Sequence, residues 1–500
     1  MLFIGELCYI EDKVDKEEND LDLVTIILGL FVFMHIALAF TIVFLERKNP
    51  MSTWAWLLVF TFVPVGGIFL YFIFGRKLTG KKLFIWDNKS KLGVRKAVEN
   101  QLQLLDEDSF PIPDHYQQHK DLFYLHLRNN DAILTQENEV EIFNDGEAKF
   151  DALIADIERA QHHIHIIYYI VRSDNLGWRI GRALMKKAQE GVTVRFLYDD
   201  MGSRRLSRKF ISALKQSGVL VESFFPSLIP KINFKINYRN HRKLAIIDGQ
   251  IGYIGGFNIG DEYLGENRKF GYWRDTHLRI VGESVTNMQT RFILDWNQAS
   301  KNQILQYEPS YYEAIPRGDV GVQIVSSGPD SEWEQVKYGY IKMIMEAEEY
   351  VYIQTPYFIP DESLADVVKI AALSGIDVRI MIPNKPDHPF VYWATYSYIG
   401  NMLEAGAKVY IYQNGFLHAK TIVVDGKLAS VGTANIDVRS FQLNFEVNAF
   451  LYSEKVAAEL IEHFQKDMDN SYLLTFEAYQ QRSLRIRFKE SVARLISPIL

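Results

Sequence analysis

The sequence predicts an α/β protein of two similar lobes related by a pseudo-twofold axis, preceded by an N-terminal transmembrane helical hairpin. Three observations carry this. Two long apolar runs stand near the start, apolar strands alternate with helices in a pattern that occurs twice, and one polar motif recurs at an offset of 177 residues. At 500 residues the chain exceeds one ordinary domain and can bury a large core. Its net charge of −7 disfavours a globally basic nucleic-acid binder, so no nucleic-acid partner is expected. A single cysteine, Cys8, excludes an internal disulfide framework and a Cys-based zinc site, and it fits work in a reducing compartment.

Residues 1–22 form an acidic tail, and residues 23–75 hold the hairpin. The runs 23–45 and 54–74 are each long enough to cross a hydrocarbon core of about 30 Å at about 1.5 Å per helical residue. The acidic start and the length of the first run argue against a signal peptide. Pro64, Gly66 and Gly67 interrupt the second run, so a kink or a re-entrant segment stays open there. Arg47 and Lys48 occupy the loop, whereas Lys13, Lys16, Arg76, Lys77, Lys81, Lys82, Lys89 and Lys91 flank the spans on the tails. That bias places both tails, and so the large remainder of the chain, in the cytoplasm.

Residues 76–135 read as a connector, 136–315 as the first lobe, 316–480 as the second and 481–500 as a basic amphipathic segment. Each lobe opens on a strand, Val140–Phe143 in one and Val322–Val325 in the other. Helix and strand then alternate, with His163–Tyr169 answered by Tyr350–Thr355 and Gly191–Leu197 by Gly375–Met381.

Each lobe then repeats a polar pattern. The first has His241, Lys243 and Asp248 followed by Gly255-Gly256-Phe257-Asn258; the second has His418, Lys420 and Asp425 followed by Gly432-Thr433-Ala434-Asn435. A His and a Lys two apart on a strand project from one face. One such motif alone is weak, but two with matching spacing make coincidence remote. The residue types suit displacement at a phosphodiester. An imidazole can attack phosphorus and a second can protonate the leaving oxygen, while Lys243, Lys420, Asn258 and Asn435 contact the phosphate without a metal. Each imidazole also needs its other nitrogen held. Glu446 lies 28 residues beyond His418 and is the candidate there; Asp275 is the candidate for His241. The near symmetry leaves open which histidine attacks. No metal or other cofactor is expected.

The two motifs resemble those of the phospholipase D superfamily. Arg47-Lys48-Asn49-Pro50, Thr53-Trp54-Ala55-Trp56, Tyr357-Phe358-Ile359-Pro360, Phe390-Val391-Tyr392-Trp393-Ala394-Thr395, Gly415-Phe416-Leu417-His418 and the tail 482–500 are similar to the bacterial cardiolipin synthases within it, over residues 23–500. The resemblance implies two phospholipase D-like lobes and a multi-pass enzyme of the bacterial plasma membrane. It implies transfer of a phosphatidyl group between two phosphatidylglycerols through a phosphohistidine, giving cardiolipin and glycerol. It also implies anionic membrane lipid as partner, His241 as nucleophile and His418 as general acid, with Lys243, Asp248, Lys420 and Asp425 in the catalytic set. Gly256 and Thr433 depart from the superfamily pattern, where Ser is frequent, and a hydroxyl to phosphate is missing at Gly256.

A phospholipase D-type hydrolase or nuclease is the competing function, since motifs do not say whether alcohol or water resolves the intermediate. A catalytically idle lipid-binding scaffold is the third, disfavoured by two complete motifs. Homo-oligomer formation stays open. His162, His163 and His165 lack a carboxylate-rich partner pattern and read as structural. The basic stretch Arg204, Arg205, Arg208, Lys209, Lys231, Lys235, Arg239 and Arg242 suits anionic head groups as well as a solvated face. Residues 482–496 alternate basic and apolar side chains, which fits a helix on a membrane surface or one packed on the body.

Overall fold

The computed structural model describes residues 25–26, 29–45, 50–71, 75, 84, 88–226, 237–300, 302–385 and 387–497. The acidic tail, Arg47, Lys48, Arg76, Lys77, Lys81, Lys82, Lys231 and Lys235 lie outside them. The chain divides into two compact units, Met1–Lys77 and Leu78–Leu500.

In the first unit, helical residues 29–40 run into a π-helical turn, Thr41–Leu45, and two helices follow, Pro50–Phe62 and Pro64–Leu70. The second apolar run therefore breaks at Val63, which takes a non-helical φ of −131° and ψ of 62°. Pro64, at the first position of the next helix, restricts the residue before it and favours this break. Ile42, Phe60 and Tyr71 pack together with Leu38 and Trp56 as an inner seam. Among the described residues no helix is long and apolar enough to cross a membrane.

The second unit holds two sheets with the same strand order. In the first lobe the strands are β1 (Asn138–Phe143), β2 (His163–Tyr168), β3 (Thr193–Asp199), β4 (Leu220–Phe224), β5 (Leu244–Ile247), β6 (Ile251–Gly255) and β7 (His277–Gly282), ordered β1-β7-β6-β5-β2-β3-β4. In the second they are β8 (Gly321–Ser327), β9 (Tyr350–Gln354), β10 (Asp377–Pro383), β11 (Lys408–Tyr412), β12 (Thr421–Val424), β13 (Leu428–Gly432), β14 (Asn444–Tyr452) and β15 (Ser471–Leu474). Their order is β8-β14-β13-β12-β9-β10-β11-β15, the same path with one edge strand added. Helices cover both faces of each sheet. In the first lobe Gly146–Arg159, Asn175–Gln189 and Arg208–Gln216 contribute Phe150, Leu184 and Phe210 to one face, and Val285–Ala299 contributes Phe292 to the other.

The lobes join through an apolar core shared by both, with Ile246, Leu278 and Phe292 from one and Val423, Val447 and Leu451 from the other. Two short parallel pairings cross the junction reciprocally. Arg239–Asn240 pairs with Asn444–Phe445, and Phe416–Leu417 pairs with Trp273–Arg274. The stretch read as a connector is also packed: Leu122, Phe123 and Leu127 of helix Lys120–Asn130 are fully buried in the core that includes Val325, Tyr340 and Phe450 of the second lobe.

Candidate active site

Each motif histidine follows one of the junction strands, so the register of that pairing fixes its backbone. The His241 N–H donates to the Phe445 carbonyl at 2.9 Å, and the His418 N–H donates to the Arg274 carbonyl at 2.7 Å. The carbonyl that holds each histidine belongs to the residue before a carboxylate. His241 Nδ1 therefore meets Glu446 Oε2 at 2.9 Å, and His418 Nδ1 meets Asp275 Oδ2 at 2.6 Å. The sequence expectation paired Glu446 with His418 and Asp275 with His241; the structure exchanges them, because Trp273–Arg274, just before Asp275, and the start of β14, just before Glu446, pair across the junction and deliver the carboxylates to the opposite lobe. Neither half-site is complete within its own lobe.

All four groups are buried, with Glu446 and Asp275 fully so. Burial lowers the His241 pKa to about 4 against the pull of Glu446, and the His418 pKa to about 4, where Lys420 adds to burial and Asp275 opposes it. Burial pushes both carboxyls upward, yet the facing imidazoles and lysines hold Asp275 and Glu446 below the usual carboxylate range. The site thus combines neutral imidazoles with ionised carboxylates. An ionised carboxylate only accepts, so each Nδ1 carries the proton and each Nε2 keeps a free lone pair.

Lys243 Nζ donates to the His241 carbonyl at 2.6 Å, and Lys420 Nζ makes the equivalent bond to the His418 carbonyl. Lys420 Nζ also lies 3.0 Å from His418 Nδ1. Burial lowers Lys243 to about 7 and Lys420 to about 8, and each ammonium feels the charge of the other lobe's groups: Lys243 that of Lys420 and Glu446, Lys420 that of Asp275. The two half-sites are therefore one electrostatic unit. Aromatic rings line it, with Tyr169 4.8 Å from the His241 ring, 5.5 Å from Lys243 Nζ, and Trp273 5.2 Å from the His418 ring.

The remaining candidates take other places. Asp248 accepts from the backbone N–H of Gln161, His162 and His163, and Asp425 from those of Glu348, Glu349 and Tyr350. Both sit at positive φ before a positive-φ Gly, in tight hairpin turns at the far end of the strands that carry the lysines. They hold the turn to the adjacent strand and do not face the imidazoles. Asn258 is held in the scaffold: its Oδ1 accepts from the Ile170 N–H at 3.0 Å and its Nδ2 donates to the Tyr263 hydroxyl at 3.1 Å. Asn435 Oδ1 is buried with no hydrogen-bond partner among the described residues, so the two asparagines are not equivalent.

Positions 256 and 433 face the carboxylates. The Thr433 hydroxyl donates to Glu446 Oε2 at 2.6 Å, and a Cβ at Gly256 would stand 1.9 Å from Asp275 Oδ1. Glycine at 256 thus makes room for a carboxylate, which gives the departure from Ser a packing reason. Sequence reasoning missed Thr433 as a carboxylate ligand and Tyr169 and Trp273 as lining; only the last carried a signal, its place beside Asp275.

Part of the basic stretch is internal. Arg242 is buried, paired with Asp295 at 2.7 Å and donating to the Glu446 and Ser327 carbonyls; Arg239 is buried beside Asp199 at 3.8 Å. Arg242 thus ties the first lobe to the second, Arg239 is paired within the first, and neither side chain is available to lipid. His163 and His165 are buried on Gln289, with Arg195 at 3.0 Å from His165 Nε2. Among the described residues no group of His, Cys, Asp and Glu is arranged to hold a metal.

Comparison with known proteins agrees on one family. A family model described as cardiolipin synthase, PLD-like domain, matches residues 153–296 and 340–468, and one described as phospholipase D-nuclease N-terminal matches 33–76. A protein of Oceanobacillus iheyensis named cardiolipin synthase is 63% identical over 478 residues, 95% of this chain and 99% of that one. The major cardiolipin synthase of Bacillus subtilis is 56% identical over 478 residues, with the same coverage of 95% and 99%. Among solved structures, phosphatidylserine synthase of Haemophilus influenzae aligns with a TM-score of 0.59 at 15% identity, covering 76% of this chain and all of that one. That last likeness concerns the fold.

Proposed function

Because the chain belongs to the cardiolipin synthase family of phospholipase D-like proteins, we propose that it transfers a phosphatidyl group from one phosphatidylglycerol to another through a phosphohistidine at the lobe junction. The observation that carries this reading is the reciprocal pair of dyads, two imidazoles each held by the other lobe's carboxylate between two buried ammoniums.

The first substrate's phosphate enters against Lys243 and Lys420. The neutral His241 Nε2 attacks phosphorus, and the bond to the glycerol oxygen breaks. The phosphodiester anion favours a proton on His418, which passes from Nε2 to the departing glycerol. Glu446 stabilises the cationic phosphohistidine, as a buried charge partner does. His418, now neutral, takes the proton from a hydroxyl of the second phosphatidylglycerol, whose oxygen displaces His241 Nε2. One residue serves as acid and then as base, as reversibility of the step requires. Asp248 and Asp425 position the strands that carry the lysines, and Asn435 is the asparagine with an acceptor free to turn to substrate.

Acidic tail, hairpin, connector, two lobes and basic C-terminal segment are the domain organisation we propose, with boundaries at residues 22, 75, 135, 315 and 480. The first unit serves as a membrane anchor with both tails cytoplasmic at the plasma membrane. Its support is the outward apolar surface, where Phe33 is 70% and Phe62 77% exposed around the inner seam of Ile42, Phe60 and Tyr71. The experiment is product analysis of the purified full-length enzyme on phosphatidylglycerol. Cardiolipin and glycerol in equal amounts are expected; phosphatidic acid as the main product would place the chain with the hydrolases.

A further inference from the structure

The C-terminal helix, Leu484–Ile496, has two opposite faces. Glu490 and Ala493, with Ser497 just beyond the helix, are turned inward: Ala493 packs with Ile359 and Ala394, and the Ser497 hydroxyl bonds the Tyr398 hydroxyl at 3.1 Å. At about 100° per residue, Leu484, Phe488 and Leu495 fall within about 40° of one another on the opposite side. They are 82%, 71% and 81% exposed. Single exposed apolar residues are ordinary, but three in one stripe of one helix are not.

The charges complete the pattern. On the same helical wheel Arg487 and Arg494 border the stripe on one side, and Arg485 and Lys489 border it on the other. The helix has one acid, Glu490, which is 4% exposed and paired with Arg482 at 3.0 Å. Apart from Ser491, the outward face is thus apolar along its middle, and it is cationic along both edges, the arrangement that lets a helix lie in the interface of an anionic bilayer. Its place in the fold ties it to the site. The helix packs on Pro389–Glu404 through Lys489 over the Trp393 ring and Arg494 over the Tyr398 ring. That helix begins beside Asp387, which accepts from the Tyr357 hydroxyl and whose charge is felt by Lys420.

We propose that this outer face docks on an anionic lipid bilayer, held there by a helix packed on Pro389–Glu404 next to the site, so that phosphatidylglycerol is taken from the surface the helix rests on. The inference rests on the lipid substrate of the proposed reaction, but its first readout is lipid contact, which does not depend on turnover.

The test uses the full-length chain with Cys8→Ser and Leu495→Cys, labelled at 495 with an environment-sensitive fluorophore and reconstituted into vesicles. In vesicles containing phosphatidylglycerol the emission shifts to the blue and is quenched by lipid-borne quenchers. Both effects weaken in pure phosphatidylcholine, at high salt, and when Leu484→Ser and Phe488→Ser are added. Water-like emission in every vesicle overturns the proposal. So does a blue shift that lipid quenchers do not reach, which would assign the stripe to a second copy if dilution abolishes it and to another segment of the chain if it does not. In a second arm, Leu484→Ser/Phe488→Ser/Leu495→Ser lowers cardiolipin formation from bilayer phosphatidylglycerol about tenfold. Turnover of dissolved short-chain phosphatidylglycerol and the Tm stay near the parent values; equal loss on both substrates also overturns it. If the parent makes no cardiolipin while lipid quenching persists, the proposed reaction fails and the docking surface stands.

Discussion

Glu446→Gln keeps the shape of the His241 partner and removes its charge. The carboxylate lies 2.9 Å from His241 Nδ1, is fully buried, and also accepts from the Thr433 hydroxyl and the Asn444 amide. A hydrogen bond to a charged group contributes about 1.5–3 kcal/mol, and His241 becomes cationic only when phosphorus is attached. Losing that support in the transition state lowers kcat about 10- to 150-fold, at about 1.4 kcal/mol per factor of ten. KM changes little, because the substrate phosphate faces the lysines. The assay is transfer from phosphatidyl donors whose leaving alcohols span a range of acidity. Because Glu446 serves the attacking residue, the loss persists with good leaving groups. Asp275→Asn, acting on His418, instead loses less as the leaving group improves. If Glu446→Gln is rescued by a good leaving group and Asp275→Asn is not, the crossed dyads do not divide attack and protonation between His241 and His418 in this way.

Four further outcomes follow from the same geometry. Lys243 and Lys420 lose their protons as pH rises through about 7 and about 8, so kcat/KM for phosphatidylglycerol falls across that range; a flat profile to pH 9 contradicts their role in binding phosphate. Gly256→Ser places a Cβ against Asp275 and displaces it, with about 1–3 kcal/mol lost in thermal denaturation and cardiolipin formation reduced at least tenfold; a variant of parent activity refutes the packing. Asp248→Ala leaves three backbone N–H groups without their acceptor and costs about 1–3 kcal/mol in Tm measurements, while kcat and KM in the folded fraction are unchanged; a loss of kcat with parent stability would return Asp248 to the catalytic set. Activity persists in EDTA, since two ammoniums neutralise the phosphate; full loss restored by one divalent ion contradicts this.

The lobes were legible because their signals are local. Strand and helix alternate within each half, and the offset of 177 holds from His241 and His418 to Asn258 and Asn435 because the two motifs have the same internal spacing. The identity of Asp275 and Glu446 was legible for the same reason, but their pairing was not. Spacing along the chain reads alike whether a carboxylate serves its own lobe or the other, and only the junction strands decide. Asn258 and Asn435 hold the same place in the repeated motif, yet Tyr263 and Ile170 hold only the first. Arg239 and Arg242 look like surface charge in a basic run, because Asp199 and Asp295, which pair with them, lie far away in sequence. The break at Val63 was foreshadowed by Pro64, a strictly local constraint.

Rapid-quench trapping of a labelled phosphatidyl-enzyme, with peptide mapping, tests the shared two-lobe site most directly. In the parent protein, and more strongly in His418→Asn with a good leaving group, the label is expected on His241; in His241→Asn none is trapped. Label on His418 in the His241 variant, and never on His241, would reverse the roles. No label in any of the three would mean direct transfer between lipids, contradicting the covalent route.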